Sequence, residues 1–232
     1  MSRWSHIERE ARETYGDLIA GMDEVGRGPL AGPVVACVVV MPPGRRAIAG
    51  VDDSKRLKAA QREELALRIR DRALSVALGA ASPREIDRLN IYHATTLAMR
   101  RALARLSVAP HHVVVDGRPI RTLGVAHTAV VGGDAKCYSV ACASIVAKVI
   151  RDRLMHRLAG RHPGYGWEQN AGYGTPVHIA ALDRLGATRH HRRSFCVKQL
   201  SLGLDDASLE WSGEAATSDS GGGEESELPG TE

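Results

Sequence analysis

Aromatic side chains are scarce in this 232-residue chain, where one Phe, three Trp and five Tyr make up 4% of the residues. Its core must therefore be filled mainly by Val, Leu, Ile and Ala, which suits an α/β domain. Cysteine is sparse too. Cys37, Cys137, Cys142 and Cys196 show no C-x-x-C spacing, and three of them sit inside apolar runs, so neither a zinc site nor a disulfide framework is indicated. No apolar run approaches the ~20 residues needed to cross a membrane, and no N-terminal signal sequence is visible. A cytoplasmic protein is the expectation.

Acidic residues are in short supply over most of the chain. Nine of the 27 Asp and Glu fall in the last 28 residues, leaving 31 Lys and Arg against 18 acids over residues 1–204. That excess points to a polyanionic partner, because Lys and Arg gain affinity for phosphates by releasing condensed counterions. A generic basic surface would account for the charge equally well. From Ser212 onward the Ser, Gly, Glu and Thr content cannot bury enough apolar surface to order the chain, so the acidic stretch 205–232 is expected to be a disordered, dispensable, solubilising tail.

Residues 1–17 are polar with the period of a short helix, a lead-in to one main domain at 18–204. A first strand is expected from Leu18 into Gly26 and a second over Val34 to Met41, joined by a Gly- and Pro-rich shaped loop. Lys58 to Arg72 reads as an amphipathic helix with Leu65, Leu67 and Ile69 near its apolar side, and Leu74 to Ala80 as a third strand. Ser82, Pro83 and Glu85 form a capping-box start for a short helix. Tyr92 to Leu106 is expected to make another helix, His112 to Val115 and Ala126 to Val131 two more strands, and Tyr138 to Leu158 the longest helix. Strands followed by alternating helices and strands imply a central mixed sheet with helices on its faces.

The chemical signal lies in the carboxylates Asp23, Glu24, Asp116 and Asp134, three of which fall within or at the end of apolar strands. Asp116 either caps a turn or points from the sheet edge into a site. Adjacent strand residues face opposite sides, so the Asp23–Glu24 pair puts one carboxylate toward the core unless the strand ends or bulges there. Acids converging at a sheet end repel one another and need a cation to compensate them. Hard oxygen ligands suit Mg²⁺ or Mn²⁺, and two such ions can promote phosphodiester hydrolysis.

The stretch from Met22 to Val34, M-D-E-V-G-R-G-P-L-A-G-P-V, resembles the N-terminal signature of the ribonuclease HII family. Later blocks agree in order: D-D-S-K-R-L at 52–57, E-I-D-R-L-N-I at 85–91, V-D-G at 115–117, G-D at 133–134, A-S-I-V-A-K-V at 143–149, G-Y at 172–173 and H-H-R-R-S-F at 190–195. The resemblance spans residues 18–204 and implies a ribonuclease H-like α/β fold with a small C-terminal helical part. It also implies an endonuclease that cuts the RNA strand of RNA–DNA hybrids and nicks duplex DNA 5′ to embedded ribonucleotides, leaving 3′-hydroxyl and 5′-phosphate ends. Asp23, Glu24, Asp116 and Asp134 carry over as catalytic metal ligands for Mg²⁺ or Mn²⁺. Gly26, Arg27 and Gly28 carry over as the reader of the 2′-hydroxyl, and Tyr173 as the residue packing on the nucleotide beside the cut. A monomer is expected.

Other residues take plainer roles. Asp152 is expected to be a salt-bridge partner and a reserve ligand. Lys55, Lys148, Arg192 and Arg193 are candidate phosphate contacts, and His190 and His191 structural or phosphate-facing. Asn170 and Ala171 stand where a His-Lys pair is frequent in the family, which puts one phosphate contact in doubt. Gly26–Arg27–Gly28 is no dinucleotide fingerprint, since the third spaced Gly is absent. Two other readings compete. A resolvase-like nuclease would share the acids but need no 2′-hydroxyl reader, and a non-catalytic hybrid-binding module would have no use for four acids beside a polyanion. The sister ribonuclease HIII would carry an extra N-terminal domain, for which 17 residues leave no room.

Overall fold

The computed structural model describes residues 4–196. The acidic stretch 205–232, and the end of the domain after residue 196, lie outside the described residues. Among the described residues five strands form one mixed sheet: β1 (Ile19–Val25), β2 (Val34–Val40), β3 (Ser75–Ala81), β4 (His112–Asp116) and β5 (His127–Val130), in the spatial order β3-β2-β1-β4-β5. The first three pair antiparallel, with Asp23 opposite Cys37 and Ala36 opposite Gly79. β4 joins β1 in parallel, Met22 opposite Val115, and β5 extends the parallel half. All seven residues of β2 are buried, as a β-branched strand covered on both faces should be.

Among the described residues seven helices complete the order: α1 (His6–Tyr15), α2 (Ala59–Arg72), α3 (Pro83–Leu103), α4 (Gly133–Lys136), α5 (Tyr138–Arg161), α6 (Trp167–Asn170) and α7 (Pro176–Leu185). On one face Met22, Ala36, Val38 and Val115 pack with Ala94, Ala98 and Met99 of α3. On the other, Cys37 and Val39 meet Cys142, Ile145 and Val146 of α5 and Ile69 of α2. Each fully buried Val or Ile contributes about 1.5–3 kcal/mol. Two glycines set how close the helices come. A Cβ at Gly21 would lie 2.1 Å from the Ser139 carbonyl carbon of α5, and one at Gly79 would lie 2.0 Å from the Ala98 oxygen of α3. All four cysteines are free and buried. Among the described residues no helix is long and apolar enough to cross a membrane.

The short helix after Ser82 and the helix from Tyr92 are both present, joined as α3 across a kink at Asn90 (φ 64°, ψ 169°), a backbone conformation taken essentially by Gly alone. The Asn90 side chain restarts the helix by accepting from the His93 N–H at 3.1 Å. Two sequence expectations need correction. Leu67 is 61% exposed, while Leu65 and Ile69 are buried, so the apolar side of α2 is narrower than its composition suggests. Nor does β1 end or bulge at Asp23 and Glu24, for the ladder to β2 continues through Val25 opposite Val35.

One side chain ties the lead-in helix to the start of α5. Ser5 and Glu8 form the capping box of α1, and Glu8 is completely buried. Its carboxylate also accepts from Tyr138 N at 3.0 Å, Ser139 N at 2.7 Å and Ser139 Oγ at 2.6 Å. One acid thus satisfies orphan N–H groups at the starts of α1 and α5.

Candidate active site

Because Met22 pairs with Val115 in parallel, Asp23 and Asp116 come next in register on neighbouring strands. Asp23 is 5% exposed. Its pKa is pushed well above the usual carboxylate range, first by burial and then by the charge of Glu24, with the Ser144 hydroxyl of α5 opposing. Its Oδ1 accepts from the Glu24 N–H at 2.7 Å. Burial also raises the pKa of Glu24, Arg27 opposes that shift, and Asp116 adds to it. Asp116 Oδ1 accepts from Gly133 N at 2.6 Å, linking the end of β4 to the turn of α4 that carries Asp134. Asp134 is buried, and its pKa is raised by burial and by Asp116.

Each acid has a partner on the protein. Arg27 Nη1 lies 3.2 Å from Glu24 Oε1, and Lys55 Nζ lies 3.5 Å from Asp134 Oδ2. Burial works against the Lys55 ammonium, but attraction to Asp134, Asp53 and Asp23 holds its pKa above the ordinary value. One oxygen is left over, since Glu24 Oε2 is buried with no hydrogen-bond partner. Among the described residues, no three His, Cys, Asp or Glu side chains gather into a ready-made metal cage. Asp23, Glu24 and Asp134 each feel the charge of Asp116, while Arg27 pairs with Glu24 and Lys55 with Asp134.

The turn after β1 is shaped around close approaches. Gly26 has φ 86°, and a Cβ there would stand 2.0 Å from Arg151 Nε. A Cβ on Gly28 would meet only Tyr173 Cε1, at 3.6 Å, so the tyrosine ring borders the open backbone of Gly28. Tyr173 is 45% exposed and available to a ligand. Gly26, Arg27, Gly28, Lys55 and Tyr173 therefore line one neighbourhood with the acids.

Other candidates fall elsewhere. Arg192, expected to contact phosphate, is fully buried and donates to backbone carbonyls of Gly26, Arg27 and Gly32, so no phosphate reaches it. Lys148 is paired with Asp152 at 2.9 Å, whereas Arg193 is anchored only through its backbone N–H, to Asp87 Oδ2 at 3.0 Å, and is exposed. Asn170 takes a structural part: its Nδ2 donates to Tyr165 O at 2.8 Å and its Oδ1 accepts from Gly172 N at 2.8 Å, fastening the turn before Tyr173.

His191 is likewise internal. His178 Nδ1 donates to Tyr173 O at 2.8 Å, leaving Nε2 to accept from Trp167 Nε1 at 3.0 Å and from His191 Nε2 at 3.1 Å. His191 Nδ1 must then accept, and it does so from Thr188 N at 2.9 Å. Both imidazoles are held neutral in fixed tautomers. Burial first, then the neighbouring His178, pulls the His191 pKa down to about 4.

Sequence reasoning missed Ser144 and Glu8, and it misplaced Arg192. Ser144 lies in a run of small apolar residues, and only the sheet brings it to Asp23.

Comparison with known proteins adds to this geometry. The family model for ribonuclease HII matches residues 20–198. The ribonuclease HII of Granulibacter bethesdensis is 54% identical over 199 residues, covering 84% of this chain and 89% of that protein. That of Geobacillus thermodenitrificans is 47% identical over 205 residues, covering 87% and 78%. Among solved structures, the ribonuclease H2 of Pyrococcus horikoshii superposes with a TM-score of 0.65 at 27% identity, covering 78% of this chain and 95% of that one.

Proposed function

This chain belongs to the ribonuclease HII family, and from that premise we propose that Asp23, Glu24, Asp116 and Asp134 carry its reaction as ligands of Mg²⁺ or Mn²⁺. Enzymes of this family are divalent-metal-dependent endonucleases. The chain hydrolyses the RNA strand of RNA–DNA hybrids and nicks duplex DNA beside embedded ribonucleotides. Water adds across the scissile bond, leaving a 5′-phosphate and a 3′-hydroxyl.

The observation that carries the ligand assignment is the partnerless Glu24 Oε2, buried among acids that are charged only at a cost. Hard oxygens with no soft donor among them suit these cations. Bound there, such a cation supplies Lewis-acid activation of water and charge neutralisation at the leaving oxygen. With a cation held by these acids, Asp134 would let go of Lys55 and Glu24 of Arg27, and both basic side chains would be free for phosphate. Gly26 and Gly28 let the backbone approach the ribose, where a 2′-hydroxyl can be both donor and acceptor. Tyr173 packs against the nucleotide next to the cut.

The test is cleavage of a labelled DNA duplex holding one ribonucleotide, with Mg²⁺, Mn²⁺ or EDTA, comparing the parent with Asp23→Asn and Tyr173→Ala. A metal-dependent nick 5′ to the ribonucleotide, lost in Asp23→Asn and weakened in Tyr173→Ala, is the expected result. Full activity of Asp23→Asn would remove the ligand assignment, and cleavage of all-DNA duplex would favour a resolvase-like nuclease.

A further inference from the structure

Two arginines lie fully buried beneath the substrate-reading loop. Among the described residues neither Arg151 nor Arg192 has a carboxylate within ion-pair distance. Arg192 donates through Nη2 to Gly26 O at 2.5 Å and through Nη1 to Arg27 O at 2.7 Å. Its Nε and Nη2 reach Gly32 O at 3.0 and 2.9 Å. Arg151 donates through Nε to Pro33 O at 3.0 Å and through Nη2 to Ala31 O at 3.1 Å. Its Nη1 crosses to Ala171 O at 2.9 Å, in the turn that presents Tyr173.

The two segments also touch directly. Leu30 N and Ala31 N both donate to Gly172 O, at 2.8 and 3.2 Å. Gly172 has φ 87°, and a Cβ there would stand 2.6 Å from Ala31 O.

Burying a guanidinium without a counter-charge is costly, and such groups are tolerated where every donor is used. Here all six guanidinium nitrogens donate, to the carbonyls of Gly26, Arg27, Ala31, Gly32, Pro33 and Ala171. A planar fork of five N–H groups fixes several carbonyls at once, which a lysine ammonium on a flexible stem cannot reproduce.

We propose that Arg151 and Arg192 are positioning residues that hold the Gly26–Arg27–Gly28 backbone and the Tyr173 ring at one fixed separation. They thereby set the preference for a ribonucleotide at an RNA-to-DNA junction. This rests on the reading of Gly26–Arg27–Gly28 and Tyr173 given above. Neither arginine touches substrate. Both act through the loops they tie, and their loss loosens a spacing of a few ångströms against which the sugar and the adjoining ring are measured.

The experiment compares Arg151→Lys, Arg192→Lys and Tyr173→Ala, with each lysine variant also made in the Tyr173→Ala background. Steady-state kcat and KM are read on a duplex with one ribonucleotide and on a continuous RNA–DNA hybrid, and Mn²⁺ binding by calorimetry. The lysine variants are expected to lose about tenfold in selectivity for the single ribonucleotide, chiefly through KM, with Mn²⁺ binding unchanged. Arg151→Lys is expected to add little once Tyr173 is Ala, whereas a merely structural defect would add in full. Parental selectivity in both lysine variants, or full additivity, overturns the proposal. If Tyr173→Ala itself leaves selectivity unchanged, the underlying reading of the loop and ring fails with it. Should the lysine variants not fold, Gly172→Ala decides, because it disturbs the same spacing without altering either arginine: the same selectivity loss supports the proposal and its absence overturns it.

Discussion

Lys55 Nζ stands 3.5 Å from Asp134 Oδ2, an ion pair in which the basic side chain is 80% exposed and the acidic one 9%. The pair sits at the border between the acids and the solvent-facing basic surface, so Lys55 can leave its acid for a phosphate at little cost. Lys55→Ala is expected to weaken binding of hybrid and of ribonucleotide-containing duplex alike. The slope of log affinity against log salt should fall in magnitude by about 1, the signature of one lost phosphate contact. Fluorescence titration between low and moderate salt measures this, and an unchanged slope would show that Lys55 makes no such contact.

Asp23 is expected to trade stability for activity. Its carboxylate is buried beside Glu24, which disfavours the charged form. Asp23→Asn removes that charge at nearly constant shape. Cleavage should drop by roughly 100-fold or more, while the metal-free protein gains about 1 kcal/mol, or about 2–4 °C in thermal midpoint. Melting in EDTA checks the second half. A lowered midpoint would mean that the carboxylate is stabilising even without a cation.

Glu8 contributes to stability from outside the segment matched by the family model. Glu8→Ala strands the N–H groups of Tyr138 and Ser139 in a dry environment and removes three charge-assisted hydrogen bonds to α5. The expected loss is about 3 kcal/mol in urea unfolding. Glu8→Gln, which retains one acceptor oxygen, should lose less. A loss under 1 kcal/mol for Ala would show that water replaces the carboxylate.

At the start of α3 the acid stability of the fold can be read from one pair. Arg101 Nη2 lies 2.7 Å from Glu85 Oε1, and this bond, aided by the Ser82 N–H, pulls the Glu85 pKa from 4.5 to about 2. A depressed folded-state pKa stabilises the fold above the unfolded value, and the benefit fades as pH falls from about 4.5 toward about 2. Glu85→Gln should therefore cost about 1 kcal/mol at pH 7, the scale of a helix cap plus a solvent-screened ion pair. Parent and variant should converge near pH 2. A difference that persists at pH 2 would point to packing rather than charge.

Most of the sheet was legible because its strands are apolar runs bounded by Gly, Pro or charge, as in Val34–Val40 closed by Pro42 and Pro43. The two helices that meet at Asn90 were legible from the capping box at Ser82 and the run from Tyr92, but nothing in the sequence marks Asn90 as the kink that joins them. Asp23, Glu24 and Asp116 could be named as candidates from their places in or at the end of strands, and Asp134 from the family signature. The partners that hold them could not. Gly133 N meets Asp116 and Lys55 meets Asp134 across 17 and 79 positions of sequence, separations that periodicity does not reach. Arg192 was misread for a similar reason. In sequence, a buried arginine serving backbone carbonyls looks the same as one facing phosphate, since the difference lies wholly in the loop folded over it.

The double cap made by Glu8 bears on the order in which the chain assembles. Its acceptor oxygens wait for N–H groups 130 and 131 positions further along. β1, which follows α1, likewise waits for β4, more than 90 positions on. At synthesis rates of about 5–20 residues per second, several seconds separate the emergence of α1 from that of its docking site. Until then Glu8 is hydrated and α1, at ten residues, is too short to persist as an isolated helix. A segment made early is thus among the last to be fixed in place.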